Sequence, residues 1–180
     1  MSATIETSRL IVRPFESADA EAAFGWFGDP LVMRYTPAGP DASLEQTKAR
    51  LAKYQEHQIA HGFSKWIIMD RGSACPIGDS GLLVLKEYGW IDLGVRLAQP
   101  YWGKGLATEA ASAWVRAAFD KFQLDRLGAF VHAENLAAIR VLEKLRFRIE
   151  RRDTIMGMNS IVFSLDVKDA RAIEDRLTGR

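Results

Sequence analysis

A strictly alternating strand, followed within a few residues by a glycine turn and a long amphipathic stretch, constrains this chain more than any other feature. From Trp90 to Leu97, Ile91, Leu93, Val95 and Leu97 fall on one face and Asp92, Gly94 and Arg96 on the other. That is the period-2 pattern of a strand. Beyond Gly103-Lys104-Gly105, apolar residues at Leu106, Ala107, Ala110, Ala111, Trp114, Val115, Ala118, Phe119 and Phe122 build one stripe at helical spacing. A helix start presents unpaired N–H groups and the positive end of the macrodipole. Glycines just ahead of it let phosphate oxygens approach the backbone without meeting a Cβ. The segment therefore reads as a candidate anion cradle, with Lys104 able to add a screened charge. The same spacing also suits a glycine turn that starts a helix and binds nothing.

Two common phosphate motifs can be tested on these residues. A Walker loop needs four residues between its first glycine and Gly-Lys-Ser/Thr, but Lys104 is followed by Gly105 and no glycine stands upstream at the right distance. A dinucleotide fingerprint needs a third small residue and an acidic residue ending the next strand. Here Thr108 takes the third place and Asp125 precedes its strand, so a dinucleotide-binding oxidoreductase stays open only as a weak alternative.

The rest of the chain places this segment late in a mixed α+β domain. Leu10–Arg13 reads as an early strand and Ala20–Phe27 as a helix, and Asp29-Pro30 can cap a further short turn or helix. Ser43-Leu44-Glu45-Gln46 is a capping box that opens a helix over 43–61, closed by Gly62. Strands over 63–69 and 77–85, joined by the turn Arg71–Pro76, form an antiparallel pair. Leu127–Val131 is a strand, Asn135 caps a helix carrying Ala138, Val141, Leu142 and Leu145, and Phe147 onward and Ile161–Leu165 supply two more strands. The tail from Lys168 to Arg180 is at most a frayed helix.

With 180 residues and 48% hydrophobic content, residues 1–180 make one domain large enough to hold a core without disulfides or metal. Lys+Arg 24 against Asp+Glu 23 gives no field for nucleic acid or a membrane surface, so any anion site must be local. No apolar run approaches the roughly 20 residues of a bilayer span. A single cysteine, Cys75, and an opening without a secretory pattern make the cytoplasm the expected location. His57 and His61 share a helix face, but no further ligand cluster completes a metal site, so solvated histidines are expected and no metal.

Gly103-Lys104-Gly105-Leu106-Ala107-Thr108-Glu109-Ala110 resembles the acyl-CoA pyrophosphate loop of the GNAT N-acetyltransferase superfamily, and in particular its ribosomal-protein (RimJ/RimL-like) branch. Thr7–Pro14, Asp29–Tyr35, Ile77–Leu82 and Asn135–Phe147 resemble further motifs of that branch in the same order. Three positions depart from the pattern. Pro100 stands where the loop often begins with Gln or Arg, Ala138 where many relatives have serine, and Arg146 where they have glycine.

The resemblance implies a GNAT fold: a mostly antiparallel sheet of about seven strands flanked by helices, splayed at a central parallel pair formed by Trp90–Leu97 and Leu127–His132. It implies acetyl-CoA as co-substrate, held by Gly94, Val95 and Leu97 on the strand and by Trp102, Gly103, Lys104, Gly105, Leu106, Ala107 and Thr108 in the loop, with Asn135 and Arg140 on the far wall. Asn135 and Arg140 are equally readable as a helix cap and a solvated base. The implied activity is N-acetylation of a primary amine, with a protein N-terminus the favoured acceptor and a small-molecule amine the other. Asp92 is the candidate base, although it can also pair with Arg96, and the Val95 N–H is the candidate oxyanion donor. Glu109, in the first helical turn, reads as favourable charge placement. Trp26, Met33 and Tyr35 are expected either in the core or lining the acceptor cleft, and a homodimer is compatible with such a sheet. The alternative class is a non-catalytic acyl-CoA-binding or sensing domain, motivated by Pro100, Ala138 and the uncertain base.

Overall fold

A computed structural model of the chain describes residues 4–171. Eight strands run as β1 (Ile5–Glu6), β2 (Leu10–Pro14), β3 (Lys65–Asp70), β4 (Pro76–Leu85), β5 (Trp90–Leu97), β6 (Arg126–His132), β7 (Arg148–Ile155) and β8 (Met158–Asp166). Four helices, α1 (Ala20–Phe27), α2 (Leu44–His61), α3 (Leu106–Arg116) and α4 (Leu136–Lys144), complete the fold. The strands form one sheet in the order β1-β2-β3-β4-β5-β6-β8-β7. Every neighbouring pair is antiparallel except β5 and β6, which are parallel. This is the GNAT fold that the motif order implies, with one strand more than the seven expected. The addition, β1, pairs through only Ile5 and Glu6, too short a run to announce itself by alternation.

The helix ends follow local chemistry. The Ser43 hydroxyl accepts from Gln46 N, and Gly62 closes α2 at φ +79° while its N–H donates to Gln58 O. The box is displaced by one residue, since the Gln46 side chain accepts from Ala42 N at 2.6 Å and not from Ser43. Asp29-Pro30 starts no helix: the Asp29 carboxylate accepts from Leu31 N at 2.8 Å and holds a turn. The stripe expected to run unbroken from Leu106 to Phe122 is helical to Arg116 and then widens into a π-turn over Ala117–Lys121, with Phe122 N donating to Ala117 O. The extra residue brings Phe122 against the rings of Phe63, at 5.3 Å, and Trp114, at 6.3 Å. Residues 167–171 continue helically, and the rest of the expected tail lies outside the described residues.

Alternation along the central strands sends side chains to two cores. Val12, Trp66, Ile68, Leu93 and Leu97 pack with Leu106, Ala110 and Trp114 of α3 on one face. Phe15 and Ile67 pack with Trp26, Phe27, Met33, Leu51 and Tyr54 on the α1–α2 face. Among the described residues, no helix is long and apolar enough to cross a membrane.

The parallel junction decides where a ligand can enter. β5 registers with β4 at eight positions from Trp90 to Leu97, and β6 registers with β8 at seven from Arg126 to His132. Between them β5 and β6 share one registered pair, Asp92 with Gly128. Both strands are bonded along their outer edges, and the inner edges they turn toward each other share that pair alone. The junction is therefore a cleft in the hydrogen bonding of the sheet, the place where strand backbone groups are left for a ligand to meet.

Candidate active site

Asp92 stands at the apex of this cleft. Its carboxylate Oδ1 accepts from Phe130 N of β6 at 3.1 Å and from the Trp90 indole at 3.4 Å, so the side chain bridges two strands whose backbones have parted. The Trp90 ring lies over Gly128, where a Cβ would collide with it. Asp92 is only 8% exposed. Burial disfavours its ionised form and pushes the carboxyl up to about 6, a rise that Lys65 and the two hydrogen bonds restrain.

The pairing of Asp92 with Arg96 does not form. Arg96 donates instead to both oxygens of Asp79 on β4, at 2.9 and 2.7 Å, and to the Tyr54 hydroxyl at 3.1 Å. Register explains the choice: Asp79 is the direct cross-strand partner of Arg96, whereas Asp92 lies four residues away along the same strand. Burial pulls the Arg96 pKa down, and Asp79 and Tyr54 more than restore it, leaving it above the ordinary value. Asp79 is fully buried and also accepts from the Trp26 indole at 3.0 Å, which ties α1 to the sheet.

At the far end of β5, the chain turns through Gln99–Tyr101 into the glycine loop. Gly103 and Gly105 adopt φ +72° and +76°, the left-handed region that favours glycine. A Cβ on Gly103 would project into open space. Among the described residues no backbone acceptor is bonded to the N–H groups from Gly103 to Thr108, whereas Glu109 N donates to Gly105 O. Those free donors at the start of α3 suit an anionic group such as a diphosphate. Lys104 is exposed, with its ammonium 5.4 Å from the centre of the Tyr101 ring. Leu106 is buried in the core, Ala107 packs against it, and the exposed Trp102 donates its indole N–H to Leu97 O at 2.6 Å, fastening the loop to the strand.

The loop is clamped from outside by the chain's opening segment. Glu109 accepts from Thr7 Oγ1 at 2.6 Å, Ser8 Oγ at 3.2 Å, Arg9 N at 3.0 Å and Arg9 Nε at 2.6 Å. Arg9 also donates to Lys104 O at 2.9 Å. Glu109 is thus a structural anchor in the first helical turn. Burial alone would raise its pKa, but the bonds from Thr7 and Arg9 hold it below the usual value.

The remaining expected residues divide. Trp26 and Met33, 2% and 0% exposed, take the core alternative and present no surface to an acceptor. Tyr35 is half-buried, with its ring 5.0 Å from that of His132 at the end of β6 and its other side under Arg34. Asn135 caps α4 by accepting from Ala138 N at 3.2 Å, and Arg140 is exposed. His57 is not solvated. Its Nε2 accepts from Val84 N at 3.0 Å and its Nδ1 sits 2.8 Å from Phe63 O, a pair of contacts that fixes a neutral ring bolting α2 to the sheet. No group of three or more His, Cys, Asp or Glu among the described residues is placed to hold a metal.

Lys65 and Asp79 escaped the reading of the sequence. Their one signal was a charge set in an apolar strand, Lys65 before Trp66-Ile67-Ile68 and Asp79 after Ile77-Gly78.

Residues 9–148 match the acetyltransferase (GNAT) domain family. The chain is 33% identical over 148 residues to a Bacillus subtilis protein named as the uncharacterized N-acetyltransferase YoaA, covering 81% of this chain and 83% of the other. Its fold is similar to that of a GNAT-family acetyltransferase from Bacillus anthracis, with a TM-score of 0.79 at 25% identity over 91% of this chain and 98% of that one. It is also similar to a candidate ribosomal-protein-serine acetyltransferase from Vibrio cholerae, with a TM-score of 0.75 at 17% identity over 92% and 99%. With its cleft, its loop and these likenesses in agreement, the chain belongs to the GNAT acetyltransferase family.

Proposed function

We propose that this acetyltransferase uses acetyl-CoA to acetylate a primary amine, with a protein N-terminal α-amine as the favoured acceptor. The observation that carries the reading is the cleft between β5 and β6, closed at Asp92–Gly128 and leading to the unpaired N–H groups of Gly103–Thr108. Acetyl-CoA supplies an activated acyl group in thioester linkage. Gly94, Val95 and Leu97 line its arm, and Trp102, Gly103, Lys104, Gly105, Leu106, Ala107 and Thr108 form its diphosphate loop. Asn135 and Arg140 border the far wall. Tyr35, at the open end of β6, is the member of the expected acceptor set with surface to offer. Trp26 and Met33 support the acceptor side from the core. The α-amine preference follows the resemblance of the chain's motifs to the ribosomal-protein branch.

An amine attacks only when neutral. Reaching that form at pH 7 costs about 1.4 kcal/mol for an α-amine of pKa near 8 and about 5 kcal/mol for a lysine of pKa near 10.4. Asp92 takes the amine's proton as the new C–N bond forms, directly or through water, while the Val95 N–H meets the charge developing on the carbonyl oxygen. The thioester C–S bond then breaks and CoA leaves as a thiolate, which is protonated to the free thiol. A carboxyl near 6 is well matched to this work, because it is ionised at pH 7 yet basic enough to hold a proton.

The test is CoA release at saturating acetyl-CoA from a panel of peptides with free N-termini, free lysine, polyamines and amino acids. Turnover with the peptides above the other amines is the expected result. Turnover confined to small amines would overturn the acceptor assignment. Tight acetyl-CoA binding without turnover on any amine would favour a binding or sensing domain.

A further inference from the structure

Among the described residues Lys65 is the one buried lysine, 5% exposed on a strand whose neighbours are Trp66, Ile67 and Ile68. Its setting is written across three strands. Lys65 on β3 registers with Gly81 on β4, and Gly81 registers with Gly94 on β5. With no side chain at either glycine, the lysine lies flat across the sheet. Its ammonium comes so close over Gly94 that a Cβ there would collide with it.

At that point two polar groups have capacity to spare. The ammonium has three donors, and its one bond among the described residues goes to Gly81 O at 3.1 Å. The Asp92 carboxylate spends Oδ1 on Phe130 N and Trp90, while Oδ2 lies 4.0 Å from where a Cβ on Gly94 would stand, the place the ammonium crowds. They face each other without making a direct ion pair.

The surrounding charges leave this role to Lys65. Arg96 on β5 is committed to Asp79 on β4 and to Tyr54 on α2. Trp26 of α1 donates to Asp79, and β6 contributes a backbone N–H, from Phe130. His57 on α2 is bonded to Val84 N and Phe63 O and held neutral, its pKa lowered by burial, and His61 stacks on it at 4.4 Å. Lys65 is therefore the uncommitted cation beside Asp92 and the stronger charge acting on it, with Arg96 a smaller one.

We propose that Lys65 is a positioning residue of the transfer reaction: its ammonium, laid across Gly81 and Gly94, keeps the buried Asp92 carboxylate ionised and ready to take the acceptor's proton. The proposal rests on Asp92 acting as the base in the function proposed above. The coupling runs both ways, since burial lowers the Lys65 pKa to about 8 and the Asp92 charge is the main influence opposing that fall. A local deficit of solvation is thus shared between two groups that stabilise each other's charged form.

The experiment compares wild type with Lys65→Met, which keeps the length of the chain and removes the charge. Two readouts are followed: carboxyl 13C NMR titration of Asp92, assigned by its loss in Asp92→Asn, and the pH profile of kcat/KM for a peptide with a free α-amine. The expected result is an Asp92 midpoint at least one pH unit higher in Lys65→Met. The acidic limb of the rate profile should rise by the same amount, with the acetyl-CoA dissociation constant within about twofold of wild type. Gly94→Ala, which retains Lys65 but denies the ammonium its place, should move the midpoint in the same direction and covers the case in which Lys65→Met does not fold. An Asp92 midpoint that stays put in the folded variants overturns the part given to Lys65 alone. A midpoint that moves while the rate profile does not overturns the proposal through its premise, because Asp92 is then not the base.

Discussion

At the scale of single residues, the site depends on groups that burial has made responsive. Asp92→Asn removes the proton acceptor while keeping the shape and the acceptor oxygen for Phe130 N. The rate should fall more for lysine-like amines than for low-pKa amines, because deprotonation is a larger part of their barrier. Steady-state comparison of an α-amine peptide with free lysine checks this, and equal small losses would remove Asp92 from the chemistry. Stability should carry the same signature. A carboxyl raised from 3.8 to about 6 holds its proton more tightly folded than unfolded. Its contribution is full below about pH 4 and is lost as pH rises through about 6. Relative to wild type, Asp92→Asn should therefore gain stability between pH 4 and 7, as urea unfolding across that range would show. Gly128 supplies a steric test, since a side chain there meets the Trp90 ring. Gly128→Val should cost on the order of 1–3 kcal/mol by overpacking and disturb the indole that donates to Asp92, visible in urea unfolding and tryptophan fluorescence.

Among the elements, the start of α3 is the one whose conformation the ligand must find ready. The loop is held by Arg9, through Glu109 and Lys104 O, and by Trp102, through Leu97 O. Arg9 is about half exposed, so the ion pair adds little to global stability. Its effect should fall on binding: Arg9→Met should weaken acetyl-CoA several-fold by calorimetry while shifting the unfolding midpoint by no more than a few degrees. An unchanged affinity would mean that the loop keeps its shape unaided. The elements themselves were largely legible from their ends and periods, as Ser43 and Gly62 for α2 and the alternation of β5 illustrate. What stayed hidden has a common cause. β1 is too short to show a period, the π-turn after Arg116 is set by where Phe122 finds a core, and Arg9 meets Glu109 from a hundred residues away. Lys65 needed the register of three strands, and the choice between core and cleft for Trp26 and Met33 needed their burial, neither of which a single segment carries.

For the whole molecule, the decisive feature is a sheet registered at many positions along most of its seams and at a single pair at the parallel junction, with the glycine loop and the start of α3 following directly from one of the two strands. That arrangement turns a continuous scaffold into a cleft able to hold an extended arm between two strands and a diphosphate at its mouth. Thermal unfolding of the protein alone and with acetyl-CoA, CoA, NAD or ATP at matched concentration tests this most directly. A ligand at about 100 times its dissociation constant adds about 2.7 kcal/mol, which for a domain of this size raises the midpoint by about 5 to 10 °C. Such a rise is expected with acetyl-CoA and CoA only, and its loss in Gly105→Val, where a branched residue is forced to φ +76°. A rise with NAD or ATP instead, or none with either CoA species, would contradict it.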